Sequence, residues 1–310
     1  METLVGVGGW AYLPIKRGNK LEICSKLYDF VEVNSTFYKL PEIERAVKWR
    51  KTVPDNFEFT LRANRELTHV GHLEPTNKNF KVYENMLEIA KELRASILHF
   101  QFPPSLAVSK ELVEKWRGFF QSVYSRKSAM KFAIEARNPQ AQDSVVFEKL
   151  VRDYDIIPTG DASKNKVVAS KDSRLVYTRV FGKGEHTKWS FGTQELRDIT
   201  ERVESVPALK RYVTFHNLTM YEDASRMKEV VKSGMDTKVP AIAPRGLDSF
   251  RKVIASGRVK YPLSKKDLIE EYGWKTFEIE GDLRVHVLDE LKKLEERKYA
   301  SVDEVVESLK

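Results

Sequence analysis

Pairs of polar residues two positions apart lie within or just after short β-forming runs. Glu32 and Asn34 show this spacing, and Glu135 and Arg137 repeat it. Residues two apart on a strand point to the same face. Carboxylates can move protons or bind metals, whereas guanidinium groups bind phosphate or carboxylate groups through paired hydrogen bonds. The spacing therefore predicts a polar site. The same spacing also fits an alternative without chemistry, an ion-pair layer in which Arg62, Arg137 or Arg179 neutralises Glu32.

The candidate catalytic side chains all stand near the ends of predicted strands. They are Glu32, His69, Glu135, Asp161 and His216. Glu32, Glu135 and Asp161 are also the predicted ligands of a divalent metal, Mg²⁺ or Mn²⁺, which prefers oxygen ligands. No His-x-His or His-Glu-x-x-His spacing supports that metal. His99 lies in the middle of a run, and we interpret it as a core histidine with its hydrogen bonds satisfied.

A second group of polar and aromatic residues is predicted to bind substrate. It comprises Trp10, Tyr12, Asn34, Tyr38, Arg62, Gln101, Arg137, Arg179 and Asn217. The aromatic rings could stack on a sugar or a base, or could equally close the mouth of a barrel. The glycines of Gly6-Val7-Gly8-Gly9 precede no helix of the required kind, so we expect no nucleotide cofactor.

The elements that position these residues are eight short β-forming runs alternating with stretches of helical period. The runs are Leu4–Gly8, Phe30–Asn34, Phe57–Arg62, Ser96–Gln101, Lys131–Glu135, Ile156–Asp161, Val176–Arg179 and Arg211–Asn217. This pattern is typical of βα units, and eight of them predict an α/β fold, a TIM-like (β/α)8 barrel whose active site lies at the carboxyl ends of the strands. Residues 162–173 are too polar for a full helix, so we expect irregularity near strands 6 and 7.

The 310 residues exceed the roughly 250 of a typical barrel. We place the barrel in residues 1–238 and a C-terminal extension in residues 239–310. The extension is predicted to be mostly helical, around the apolar segment Trp274–Ile279, and packed on the barrel. It could cap the barrel, form a dimer surface, or act as an arm for nucleic acid or another partner; the sequence does not indicate the oligomeric state.

Composition restricts the class of protein. No apolar stretch approaches the roughly 20 residues of a membrane span, and the amino terminus has no secretion-signal pattern, so we expect a cytoplasmic protein without a membrane partner. The single cysteine, Cys24, excludes an intrachain disulfide and is predicted to be a buried structural residue. The net charge of +8 favours phosphate-rich partners, although a charged fraction of 32% also fits a thermophile-like, ion-paired surface.

Several short motifs resemble those of the DUF72 or YecE-like family. They are Gly8-Gly9-Trp10-Ala11-Tyr12, Glu32-Val33-Asn34-Ser35-Thr36-Phe37-Tyr38, Thr68-His69, Gln101-Phe102-Pro103, Glu135-Ala136-Arg137, Tyr177-Thr178-Arg179 and Phe215-His216-Asn217. The resemblance covers about residues 4–235 and implies a TIM barrel with a polar pocket. Arg62 stands where the family usually has lysine, Phe181 where histidine is common, and His216 where asparagine is frequent.

Three functions follow as hypotheses. The first is a metal-assisted phosphodiesterase or nuclease, in which the arginines hold a phosphate-bearing substrate. The second is a sugar isomerase or epimerase, in which a carboxylate or His69 moves a proton. The third is a noncatalytic nucleic-acid-binding protein that uses a basic surface and the C-terminal extension.

Overall fold

The computed structural model describes residues 1–126, 129–137, 145–184, 187–257 and 259–310. The chain forms two compact units. The first unit contains residues 1–180 and 202–215, and the second contains residues 181–201 and 216–310. The sequence suggested one boundary after residue 238, and that boundary stays a prediction.

The first unit is built on eight parallel strands. They are β1 (Glu2–Val7), β2 (Phe30–Val33), β3 (Glu58–Arg62), β4 (Ile97–Phe102), β5 (Lys131–Ala136), β6 (Ile157–Pro158), β7 (Leu175–Val180) and β8 (Lys210–Phe215). Their order in the sheet is β6-β5-β4-β3-β2-β1-β8-β7. Every pair of neighbours is parallel, and each observed strand overlaps one of the eight predicted runs. The predicted TIM-like barrel is therefore confirmed.

The barrel has an unsealed seam between β6 and β7. One parallel bridge, from Gly160 to Thr178, links the two sides. The Thr178 hydroxyl supports it, because Oγ1 donates to the Gly160 carbonyl at 2.8 Å and accepts from the Ala162 amide at 2.9 Å. Residues 159–174 are all described, and no helix forms among them. This confirms the irregularity that the polar segment predicted.

Helices alternate with the strands elsewhere. They are α1 (Lys20–Leu27), α2 (Ile43–Thr52), α3 (Asn77–Leu93), α4 (Lys110–Val123), α5 (Val145–Asp153), α6 (Thr193–Glu204) and α7 (Met220–Ser233). The Ser109 hydroxyl caps α4 by accepting from the Leu112 amide at 3.2 Å. Cys24 on α1 is fully buried, which raises the pKa of its thiol to about 12. It is a core residue, as predicted.

Apolar side chains fill the barrel toward the amino ends of the strands. Phe30, Tyr177 and Tyr212 pack together there with Leu4. Gly6 on β1 makes room for this packing, since a Cβ atom at its position would lie 2.6 Å from the Phe30 carbonyl oxygen. Side chains beyond this layer, toward the carboxyl ends, are polar. The barrel therefore has an apolar layer inside, below a polar mouth.

The second unit has its own apolar core, formed by Phe250, Leu268, Tyr272, Phe277 and Tyr299 among others. Its remaining helices are α8 (Gly246–Ala255), α9 (Lys265–Tyr272), α10 (Val287–Leu291) and α11 (Val302–Glu307), and its strands are β9 (Leu263–Ser264), β10 (Thr276–Glu278), β11 (Arg284–His286) and β12 (Lys298–Tyr299). The strands form two antiparallel pairs that the sequence did not predict. The apolar segment at Trp274–Ile279 supplies β10. None of the described helices is long and apolar enough to cross a membrane.

Candidate functional site

Charged side chains from three strands meet inside the polar end of the barrel. Arg179, from β7, donates from Nη2 to Oε1 of Glu32 at 3.0 Å and from Nη1 to Oε2 of Glu135 at 2.9 Å. All three side chains are almost fully buried. Burial alone would lower the pKa of Arg179, but the two carboxylates raise it above its usual value. One arginine therefore bridges the two predicted catalytic glutamates.

A tyrosine holds the other oxygen of Glu32. The Tyr177 hydroxyl donates to Oε2 of Glu32 at 2.5 Å and lies 3.0 Å from the Thr60 hydroxyl. Burial and the neighbouring Glu32 charge raise the pKa of Tyr177 well above its usual value, so it stays a donor. From the sequence, Tyr177 was named only as part of the motif Tyr177-Thr178-Arg179. It is a site residue that the sequence reasoning left out.

His99 lies between the two glutamates. Its Nδ1 is 3.5 Å from Oε2 of Glu32, and its Nε2 is 3.3 Å from Oε2 of Glu135. Neither nitrogen makes an aligned hydrogen bond, although the ring is fully buried. The interpretation of His99 as a satisfied core histidine was therefore wrong about its hydrogen bonds. Its spacing of two from Gln101 on β4 was the signal that it faces the site.

Two amide side chains complete the surroundings of Arg179. Gln101 accepts from its Nη1 at 2.9 Å, and Asn34 Oδ1 lies 3.5 Å from its Nη2. The amide nitrogen of Asn34 donates to the Gly8 carbonyl at 2.9 Å, which fixes its orientation. Gln101 and Asn34 therefore join the cluster that their strand-end positions predicted, and they hold the bridging arginine in place.

Arg62, at the end of β3, differs from Arg179 in its partners. Its Nη1 lies 3.5 Å from Asn34 Oδ1, and its Nε has no hydrogen-bond partner. The guanidinium lies over the Phe37 ring at 3.8 Å. Among the residues that the structure describes, no carboxylate forms an ion pair with it. Burial, helped by Arg179 and Arg137, lowers the pKa of Arg62 to about 10, so it remains charged at neutral pH.

Arg137 follows β5 and sits at the rim, where its side chain is one-third exposed. Its Nε donates to Oε1 of Glu135 at 2.5 Å. Burial alone would raise the pKa of Glu135, but Arg179, His99 and Arg137 together lower it well below the usual range. Glu135 is therefore ionised at neutral pH and held by two arginines.

His69 lies beside this cluster, on a π-helical turn at Glu66–Val70. Its ring meets the Phe37 ring edge-on at 4.8 Å, and its Nδ1 lies 2.9 Å from the Thr68 hydroxyl. Burial, then the positive charges of Arg62, Arg65 and Arg137, lower the pKa of His69. The imidazole is therefore neutral at pH 7, in positive surroundings.

The predicted metal ligands do not assemble. Asp161 uses Oδ1 to accept from the amide and hydroxyl of Ser163, at 2.9 and 2.6 Å. Within the described ranges, no group of three or more His, Cys, Asp or Glu side chains is placed to hold a metal. Arg179 instead occupies the space between Glu32 and Glu135. The residues present do not fit the predicted ion, which stays a prediction.

The predicted aromatic residues differ in exposure. Trp10 is half-buried and meets Trp49 edge-on at 5.0 Å. Tyr12 and Tyr38 are 85% and 72% exposed, respectively. Such exposure leaves both rings accessible to a ligand, but their role in binding stays a prediction.

His216 and Asn217 belong to the second unit. The His216 ring stacks on Phe181 at 5.2 Å. Asn217 is buried and donates to Oδ2 of Asp223 at 2.6 Å. Burial raises the pKa of Asp223 to about 6, even though Arg226 and the hydrogen bonds to its carboxylate act in the opposite direction. Asn217 therefore supports a buried polar network within its own unit, and the predicted site roles of both residues stay predictions.

Comparisons with known proteins identify relatives but no activity. The family model described as "Protein of unknown function DUF72" matches residues 4–245. The curated UPF0759 protein YunF of Bacillus subtilis is 23% identical, over 79% of this chain and 99% of its own. Crystal structures of DUF72 family proteins from Enterococcus faecalis and Thermotoga maritima are 20% and 18% identical, each with a TM-score of 0.60. They cover 79% and 75% of this chain and all of their own. These structures share the fold.

The geometry indicates what the cluster can do. Glu32 and Glu135 are already engaged by donors, whereas two described groups beside them can meet a ligand: Arg62, a half-buried cation, and His69, a neutral base. Both lie next to the Phe37 ring. This arrangement is suited to binding an anion and moving a proton beside it.

Proposed function

The chain belongs to the DUF72 family, and we propose that the mouth of its barrel binds a phosphate-bearing ligand through Arg62, with His69 as the proton-transfer group. The observation that carries the proposal is the charged guanidinium of Arg62, which has no ion-pair partner among the residues that the structure describes. Arg62 is half-buried, and a charge that is partly removed from water costs free energy unless it is paired. A ligand anion would supply the partner that the described residues lack.

The charges around Arg62 support an anion rather than a cation. Arg179 and Arg137 lower the pKa of Arg62, whereas Glu32 and Glu135 raise it. Among these described groups, two carboxylates stand against three guanidinium groups, an excess of one positive charge. His69 adds none when neutral, and the charged groups that affect its pKa are all cationic. A phosphate oxygen would be attracted to this mouth.

The reaction that we propose is hydrolysis of a phosphate ester. In the tautomer in which Nδ1–H of His69 donates to Thr68, Nε2 has a lone pair that accepts a proton from water. The water oxygen then forms a bond to phosphorus, the bond from phosphorus to the leaving oxygen breaks, and that oxygen takes a proton from solvent. Arg62 stabilises the charge on the transferring phosphoryl oxygens. A neutral base near pH 7 suits this role.

The metal-assisted version of this reaction stays part of the proposal as an alternative. Glu32 and Glu135 would have to exchange Arg179 for the ion. The hydrolysis assay is therefore done both without a divalent metal and with one.

Hydrolysis of bis(p-nitrophenyl) phosphate and of short DNA and RNA tests the proposal. The protein is assayed in EDTA and with Mg²⁺ or Mn²⁺. Wild type should turn over a substrate, and His69→Asn should lower the rate by about 100-fold or more. His72→Asn is the matched control, because asparagine tolerates the positive φ of 44° at that position. Phosphate binding without turnover would overturn the hydrolytic role, and absence of both would overturn the proposal.

A second candidate is proton transfer on a sugar, as in an isomerase or epimerase. The observation in its favour is His99 between Glu32 and Glu135, because its two ring nitrogens lie 3.5 Å and 3.3 Å from the two carboxylates, respectively. Incubation with candidate sugars in deuterated water distinguishes it from hydrolysis. Deuterium at carbon would support it, and unlabelled sugars would count against it.

The noncatalytic nucleic-acid-binding alternative depends on which part of the chain carries the net positive charge. Residues 239–310 contain 14 Lys or Arg and 14 Asp or Glu, so the excess of +8 comes from residues 1–238. A basic arm in the extension gains no support from this count. Binding of DNA that weakens steeply with salt, without cleavage, would favour this alternative.

A further inference from the structure

A cavity of about 590 Å³ lies at the amino ends of the strands, opposite the candidate site. Lys131 and Lys210 begin β5 and β8, and Glu58 begins β3, so these side chains belong to the floor of the barrel. The volume is within the range of small-molecule pockets, roughly 300–1,000 Å³. Nothing in the proposed function uses this cavity.

The wall of the cavity is partly apolar. Leu87, Ala90, Met130 and Leu175 line it, and the first three are at least nine-tenths buried. Leu87 and Ala90 come from one face of α3, and Leu175 comes from the start of β7. A ligand with an apolar body would remove this surface from water, which is favourable.

The polar lining is mostly cationic. It contains Lys91, Arg94, Lys131 and Lys210 against one carboxylate, Glu58. Lys210 pairs with Glu58 at 2.6 Å, Lys131 with Asp155 at 3.3 Å, and Arg94 with Asp55 at 2.9 Å. Lys91 has no ion-pair partner among the described carboxylates. One positive charge is therefore left for a ligand.

Glu58 does not compete for that charge. Its carboxylate accepts from Lys210, from the Tyr212 hydroxyl at 2.8 Å and from the Ser96 hydroxyl. Burial alone would raise the pKa of Glu58, but these donors lower it, so the carboxylate is ionised and satisfied. It fixes Lys210 and Tyr212 at the inner end of the cavity.

We infer that this cavity is a second binding site, for an amphipathic anion with an apolar chain and a single carboxylate. The apolar wall takes the chain and Lys91 takes the carboxylate. Glu58 and the donors that neutralise it lie at the other side of the lining. A cationic head group on the same chain would meet the positive charge of Lys91, which no described carboxylate neutralises.

The test compares three probes that share one chain: octanoate, octylammonium and 1-octanol, each below the concentration at which it aggregates. The readout is the ¹³C-methyl NMR spectrum of protein labelled at methionine, with the Met130 signal assigned from Met130→Leu. We expect octanoate to shift the Met130 signal and to bind more tightly than the other two. Met86, which is fully buried on α3 and outside the lining, is the internal reference.

Variants at exposed positions keep the test independent of folding. Lys91→Ala should weaken octanoate binding about two- to fivefold, as expected for one exposed charge contact. Lys81→Ala, at an exposed position on the same helix, should not change it. Arg62→Ala should leave it unchanged as well, which separates this site from the mouth of the barrel. Equal binding of octylammonium, or octanoate binding that does not move Met130, would overturn the inference.

Discussion

The guanidinium of Arg62 lies 3.8 Å from the centre of the Phe37 ring. This contact holds the cation in place without neutralising it, since an aromatic face attracts a cation but carries no net charge. His69 meets the same ring from another direction, at 4.8 Å. Phe37 therefore positions both the group that we expect to bind phosphate and the group that we expect to move a proton.

The pKa of His69 should report on Arg62. Because the Arg62 charge is among the causes that lower the pKa of His69, Arg62→Ala should raise that pKa toward the ordinary value of 6.5. NMR titration of the imidazole signals measures the shift, with His69→Asn used for assignment. Arg45→Ala, at an exposed position on α2, should leave the titration unchanged. A His69 pKa that does not move in Arg62→Ala would contradict the proximity on which the proposal depends.

The bridge from Arg179 to Glu32 should dominate the stability of the barrel mouth. Glu32→Gln removes one charge of a buried pair and should lower the free energy of unfolding by about 3–5 kcal/mol. Urea denaturation measures the change. Glu22→Gln, which breaks an exposed pair with Lys26, should cost under about 1 kcal/mol. A loss of under about 1 kcal/mol in Glu32→Gln as well would show that the stability of the protein does not depend on the ion pair between Arg179 and Glu32.

Glu135 should make this stability depend on pH. Its pKa is lower in the folded protein than the ordinary 4.5, so its contribution is fully present above that value and is lost as the pH falls toward the folded pKa. The stability difference between wild type and Glu135→Gln should therefore be largest near pH 7 and shrink below about pH 4.5. Urea denaturation from pH 7 to pH 3 measures it. A difference that stays constant over this range would contradict the lowered pKa.

Much of the barrel could be predicted because the residue types that indicate each strand are neighbours in the sequence. Most of the predicted runs ended in a polar residue, and Glu32, Arg62, Gln101, Glu135 and Arg179 all fall at the polar end of the barrel. The pairing of these residues was not predictable. Arg179 meets Glu32 across 147 positions of the chain, and no spacing rule reaches that far.

Two differences between the predictions and the geometry of the structure had signals in the sequence. Asp161 was grouped with the glutamates, but the sequence Asp161-Ala162-Ser163 is typical of a turn in which the aspartate accepts from the amide two residues later. The structure shows that turn, with a distance of 2.9 Å. His99 was assigned to the core, although it shares a strand face with Gln101. Alternation along β4 would have placed it in the site.

In the C-terminal extension, the short strands could not be predicted from the sequence. Its amphipathic helices were visible from the spacing of Leu and Val, but β10 and β11 are only three residues each. Strands this short carry too little alternation to be told from a turn of helix. Their pairing, Phe277 with Val285, depends on the fold of the whole unit.

The measurement to make first is the affinity for inorganic phosphate and pyrophosphate by calorimetry, in wild type, Arg62→Ala, Arg62→Lys and Arg45→Ala. Losing charge-assisted hydrogen bonds should weaken binding about 10- to 100-fold in Arg62→Ala. Arg62→Lys should fall between, because lysine keeps the charge but not the planar fork. Arg45→Ala should match wild type. Equal affinity in wild type and Arg62→Ala, or an equal loss in Arg45→Ala, would contradict an anion site at the barrel mouth.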